Sequence, residues 1–154
     1  MGPALFALST LAWQVGSTIP SRYTCTGADL SPALSWTSPP AGAASLAVVF
    51  DDPDAPGATW THWIVWGLPA ASGSIAEGVA PVAPGMVQGT NDFGKPGYGG
   101  PCPPPGHGLH RYFVRLYALD VAVDLPPAAD RNALDAAMAG HVVAITEWMG
   151  KFGR

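Results

Sequence analysis

Apolar runs separated by Gly- and Pro-rich breaks set the first expectations for this chain. Ser45–Asp51 (SLAVVFD) is an unbroken apolar run ending on a carboxylate, the pattern of a strand covered on both faces. Trp60–Gly67 (WTHWIVWG) is dense in aromatic and β-branched residues, which favour strands. Period two there sets Trp60, His62, Ile64 and Trp66 on one face. His110–Asp120 (HRYFVRLYALD) puts His110, Tyr112, Val114 and Leu116 on one face, and Arg111, Phe113, Arg115 and Tyr117 on the other. Weaker patterns at Leu5–Trp13 and His141–Met149 are read as further strands. One short helix is expected over Asp130–Ala139. Asp130 can cap it, Leu134, Ala137 and Met138 form its stripe, and Gly140 can stop it. The stretch Val79–Gly108 is full of Gly and Pro, and loops of that length often carry function. These elements predict a mainly β, two-sheet antiparallel sandwich with functional loops at one end, a single domain over residues 1–154.

Composition narrows what such a sandwich can do. The 154 residues allow a sizeable core, and 48% of them are hydrophobic. Only 12% are charged, so each ionisable group in an apolar neighbourhood merits its own account. The net charge is −4 and Lys and Arg do not cluster. Nucleic acid binding and polybasic membrane contact therefore lack electrostatic support. No apolar run is long enough for a membrane span. The N-terminal MGPALFALSTLAWQVG lacks a basic n-region and reads as no signal peptide, so a cytoplasmic location is expected.

Against that background, DDPDAPG (residues 51–57) concentrates three carboxylates at one turn. Pro53 and Pro56 keep the preceding residues extended and make the turn rigid. It could be a solvated turn, a metal site, a general base or part of an anion pocket. Asp51 or Asp54 could simply bond its own backbone. No HExxH, CxxC or HxH pattern supports a metal, and the His107/His110 spacing is weak evidence alone. No GxSxG elbow marks a serine nucleophile. Cys25 and Cys102 read either as thiols, one of which could be a nucleophile beside a histidine, or as a disulfide. The segment YGGPCPPPGHGLHRY (residues 98–112) is neither strand nor helix at its start. It makes a stiff wall whose glycine N–H groups can face a ligand, and it leads straight into His110 and Tyr112.

DPDAP and GLHRY, in that order and roughly fifty residues apart, resemble the phosphatidylethanolamine-binding proteins, in particular their short bacterial, Raf kinase inhibitor-like branch. The resemblance covers nearly the whole chain. It also rests on IPSRYTCTGADLSPALSW, on ATWTHWIVWGLP, on EGVAPVAPGMVQGTNDFGKPGYGG and on LDAAMAGHVVAITEWMGKF. It implies a Greek-key β-sandwich with a small pocket at one end that takes phosphate, phosphorylethanolamine or carboxylate anions. Transferred residue by residue, the pocket carboxylate is Asp52, with Ala55 and Pro56 beside it. Trp60 and His62 come from the next strand. Gly100, Pro101, Pro103 and Pro104 form the wall, and His110 and Tyr112 complete the set. His62 and His110 would donate to an anion, Tyr112 would add a neutral donor, and Asp52 would hold one imidazole in its donor form. Asp54 and Asp51 would hold the turn. The resemblance also makes a Cys25–Cys102 bond or paired thiols near the pocket plausible. Animal members have a longer C-terminal extension, without which the pocket would be more open.

The leading expectation is a small-anion or phospholipid-headgroup binding protein that needs no cofactor or metal and could regulate a kinase or protease. The alternative is an acid–base enzyme, such as a small-ester hydrolase, with Asp52 and His62 as base, His110 or Tyr112 polarising an oxygen, and Cys25 as nucleophile if it is free. A third reading is a protein-interaction domain whose surface matters more than its pocket. Some bacterial members form dimers, which raises a homodimer here.

Overall fold

In a computed structural model, residues 5–154 are described. Eight strands follow in chain order: β1 (Leu8–Ser9), β2 (Leu34–Trp36), β3 (Ser45–Asp52), β4 (Trp60–Pro69), β5 (Gly73–Ile75), β6 (Val87–Gln88), β7 (His110–Leu119) and β8 (Val142–Phe152). One α-helix, α1 (Arg131–Met138), precedes the last strand. The strands form two antiparallel sheets, ordered β1-β2-β5 and β6-β4-β3-β7-β8. The fold class expected from periodicity is the fold observed.

The central strand β3 explains the layering. All eight of its residues are buried, which an apolar run requires and only a two-sided cover can supply. Leu46, Val48 and Phe50 point into the larger core, where Leu34, Trp36 and Ile75 of the small sheet meet them. Ala47 and Val49 point the other way, toward Leu134 and Met138 of α1. The helix matches its prediction to within one residue at each end. The Asp130 side chain accepts a hydrogen bond from Ala133 N at 3.0 Å, and Gly140 follows with φ +78°. After the β3–β4 hairpin the chain makes β5, β6 and the long Gly/Pro-rich segment. It then returns as β7 on the far side of β3, so β3 lies between β4 and β7.

Several sequence expectations need correction. Of Leu5–Trp13 only Leu8–Ser9 pairs as strand. The last strand starts at Val142, not His141, and runs on to Phe152. The short strands β2, β5 and β6 escaped the periodicity reading because two or three residues carry no measurable period.

The most consequential correction concerns β4. Phe50 pairs with Trp63, but Asp51 pairs with Thr61, so His62 is an extra residue in a β-bulge. The bulge breaks the period. Trp63 and Val65 belong to the larger core and Ile64 and Trp66 to the helix-side core. His62 lies with the first pair, its ring 5.7 Å from Phe50 and 5.4 Å from Tyr112. It does not share a face with Ile64 and Trp66.

Leu134 is fully buried between α1 and the sheet. Leu134→Ala is expected to cost about 2–5 kcal/mol of unfolding free energy, read from the midpoint of a urea titration.

Candidate functional site

Three strand ends meet at one end of the large sheet. Asp52 closes β3, Trp60 opens β4 opposite it, and His110 opens β7. A cavity of about 290 Å³ lies there. Its polar lining comes from Asp52, His62, His110 and Tyr112. Its apolar wall includes Ala55, Pro56, Trp60, Pro103 and Pro104. All nine of these were named from sequence.

The three clustered carboxylates go three ways, because alternation along β3 separates Asp51 from Asp52. Asp52 is buried on the cavity side. Its Oδ1 accepts from the Asp54 N–H at 2.8 Å, and its Oδ2 lies 2.7 Å from His110 Nδ1. Asp54 accepts from both the backbone N–H and the side chain of Arg111, at 2.8–2.9 Å, and so fastens the turn to β7. These bonds from Arg111 hold the Asp54 carboxyl down to a pKa of about 2. Asp51 does not hold the turn as expected. It is buried on the opposite face, where its Oδ2 accepts from Arg131 Nη1 at 2.9 Å and ties α1 to the sheet.

The histidines are equally distinct. His62 Nδ1 lies 2.6 Å from the Gly99 carbonyl, which fixes it as the protonated nitrogen. Burial pushes the His62 pKa below its ordinary value and favours the neutral ring. The remaining nitrogen, Nε2, is then an acceptor, not the donor expected from sequence. His110 has both nitrogens engaged, Nδ1 by Asp52 and Nε2 by His107 Nδ1 at 2.6 Å. The Tyr112 hydroxyl is buried beside Asp52 but makes no well-aligned hydrogen bond in the protein. Burial and the neighbouring Asp52 charge push its pKa up, so it stays a neutral O–H donor.

The loop wall is stitched from behind. Cys25 and Cys102 form a disulfide, so Cys25 is no free thiol nucleophile. Cys25 N–H donates to Pro101 O at 3.1 Å, and Gly100 N–H donates to Asp29 Oδ1 at 2.9 Å. Gly100 and Pro101 therefore face the Cys25 segment and do not line the cavity, contrary to expectation. A Cβ on Gly100 would strike Asp29 and the Tyr23 carbonyl, so the glycine permits this close approach. Arg154 Nε donates to Pro103 O at 2.7 Å and steadies the rim. One lining residue was missed, Phe93; Cys102, expected near the pocket, also lines it. Phe93 packs edge-on against Trp60 and His62, with centroids 5.4 and 5.5 Å away. A phenylalanine between Asp92 and Gly94, inside a polar, Gly-rich stretch, was the available signal. Among the described residues no three His, Cys, Asp or Glu side chains converge as metal ligands would.

The disulfide joins residues 77 positions apart. Its reduction is expected to cost about 4–5 kcal/mol of stability on the chain-entropy account, read from urea unfolding with and without dithiothreitol. His62 gives a second expectation. Its folded pKa lies below the ordinary 6.5, so the unfolded chain binds the extra proton first as pH falls. The His62 contribution is complete above pH 6.5 and is lost progressively below it. His62→Gln should flatten that fall, as measured by unfolding at stepped pH. A separate fall, between pH 3.8 and about 2, belongs to Asp54 and should persist in the variant.

The comparisons with known proteins agree with this fold. The family model described as phosphatidylethanolamine-binding protein matches residues 9–153. A protein of Methanothermobacter thermautotrophicus, named only as a UPF0098 protein, is 47% identical over 150 residues, covering 96% of this chain and 98% of its own. A protein of Mycobacterium tuberculosis with the provisional name lipoprotein LppC is 51% identical over 114 residues, covering 74% of this chain and 55% of its own. The crystal structure of a phosphatidylethanolamine-binding protein homologue from Chlamydia trachomatis superposes with a TM-score of 0.87 at 37% identity, covering 97% of both chains. That of Escherichia coli YbcL, described as a new member of the mammalian family, superposes with a TM-score of 0.91 at 29% identity, covering 98% of this chain and 99% of its own. With the family model matched over residues 9–153 and the fold shared at 37% identity, this chain belongs to the phosphatidylethanolamine-binding protein family.

Proposed function

We propose that the cavity binds a small anion bearing a phosphoryl or carboxylate group, with phosphate and phosphorylethanolamine as the reference ligands. The observation that carries this reading is the buried Tyr112 O–H, left without a well-aligned acceptor in a cavity of ligand size. A ligand oxygen would satisfy it. His62 Nε2, an acceptor in the neutral ring, complements a ligand O–H, so a singly protonated phosphoryl group fits the pair better than a dianion. Asp52 is reserved for His110 and the turn. The apolar wall leaves room for a short organic substituent. Four of the five arginines pair with carboxylates, whereas the Arg154 guanidinium meets a carbonyl. Its positive charge stands near enough to Tyr112 to favour an anion there.

An acid–base hydrolase acting on small esters is the second reading, favoured by the buried Asp52–His110 pair. The disulfide removes the thiol that a covalent route would have used. A disulfide is also the chemistry of an oxidising compartment, which favours an extracytoplasmic location over the cytoplasmic one expected from sequence. The provisional lipoprotein name of the mycobacterial relative points the same way.

Isothermal titration with phosphate and phosphorylethanolamine tests the binding reading. Tyr112→Phe is expected to weaken both by roughly ten- to a hundredfold, the worth of a hydrogen bond to a charged group. Phosphorylethanolamine should bind more tightly at pH 6 than at pH 8, because its phosphoryl group loses its second proton near pH 6. No heat from either ligand with the wild-type protein would sink this reading. Turnover of aryl esters that disappears in His62→Ala would favour the enzyme instead.

A further inference from the structure

His110 has no nitrogen to spare. Asp52 takes Nδ1–H, and His107 takes Nε2. A single proton lies between the two imidazoles, so this bond is one between ring nitrogens, with no carboxylate in it. His107 is exposed and belongs to no part of the cavity wall, whereas His110 is buried and belongs to it. The exposed ring thus covers the one nitrogen through which the buried ring could meet a ligand.

The turn that carries His107 is built to move aside. Gly106 and Gly108 flank it with φ of +77° and +86°, and a Cβ on either would meet nothing within 4 Å. Both neighbours therefore have conformational freedom and open space. One hydrogen bond, His107 N–H to Pro104 O at 3.1 Å, holds the turn's own backbone. Gly106 N–H donates to Arg154 O at 2.9 Å, which fixes the turn's base and leaves its tip free.

We propose that His107 is a latch on the pocket: it occupies His110 Nε2 in the empty pocket, and an anionic oxygen replaces it there. The proposal rests on the anion reading of the cavity and adds what an anion must displace to enter. A hydrogen bond from imidazolium to a phosphoryl or carboxylate oxygen is roughly twice as strong as one between neutral groups. A charged acceptor displaces the latch, and a neutral acceptor of the same shape does not. His110 keeps the shared proton, the released His107 takes one from water, and Asp52, bonded to Nδ1, offsets the charge that His110 then carries. The other charged groups nearby are Asp54, paired with Arg111, and Arg154. His107 touches no ligand in this arrangement and acts only through His110.

Two measurements on His107→Ala test the latch. In calorimetry, the variant should bind inorganic phosphate and acetate about three- to tenfold more tightly than wild type, as loss of one competing hydrogen bond requires. Acetamide should gain no more than acetate does, because the same single bond is removed for both. Independently, diethyl pyrocarbonate acylates free imidazole nitrogen, and peptide mass analysis locates the adduct. His110 should be spared in wild type and modified in the variant. Weaker anion binding in the variant would make His107 a ligand in its own right and overturn the latch. So would unchanged affinity, or His110 already reactive in wild type. Anion binding absent from both proteins, with His110 exposed only in the variant, would overturn the anion reading while supporting the shielding of Nε2.

Discussion

A buried carboxylate must be satisfied on every side, and the pocket end of this molecule is arranged around that demand at Asp52. One oxygen takes the backbone N–H of Asp54 and shapes the turn; the other takes His110 and draws the start of β7 to the end of β3. The same residue therefore sets the turn, the distance between strand ends and the tautomer of an imidazole. Proline at positions 53 and 56 removes the freedom that would let the turn seek another arrangement. Stability and site geometry come from one group, so neither can be altered there alone.

The remaining polar groups divide along the two faces of β3. On the helix face, Asp51 and Arg131 make a structural tie between α1 and the sheet. On the cavity face, His62 and Tyr112 keep hydrogen-bonding capacity that the protein does not use. A folded chain rarely leaves a buried hydroxyl idle. Here the idle hydroxyl stands in a wall of aromatic rings, with Phe50 stacked on Tyr98 at 5.7 Å behind it. That packing fixes Tyr112 in place without satisfying it.

Much of this was legible in the sequence wherever burial is two-sided or strictly alternating. β3 and β7 declared themselves, and the helix carried both its cap and its stop. Asp52, His62, His110 and Tyr112 were named as one constellation on the strength of the family motifs. What was not legible depended on partners distant in the chain. Arg131 reaches Asp51 across 80 positions, and no local pattern announces that pair. Gly100 and Pro101 were placed in the wall because their motif adjoins it, but their backbone groups answer to Asp29 and Cys25. His107 was weighed only by its spacing to His110, as weak evidence for a metal, since their contact exists only once the glycine-flanked turn folds back. The β4 bulge leaves no trace in hydropathy, so the face of His62 was misread even though its place in the pocket was named.

That bulge separates two inheritances within one strand. Between it and a second register shift beyond Val65, Trp63 to Trp66 alternate in a register that serves packing. Above it, Trp60 and His62 answer to the cavity. The extra residue absorbs the mismatch between the two, so the lip of the pocket can be rewritten, residue by residue, without re-registering the core pairs beneath it. A scaffold with a phase break at the rim of its cavity is one on which new ligand preferences can be tried at little risk to the fold.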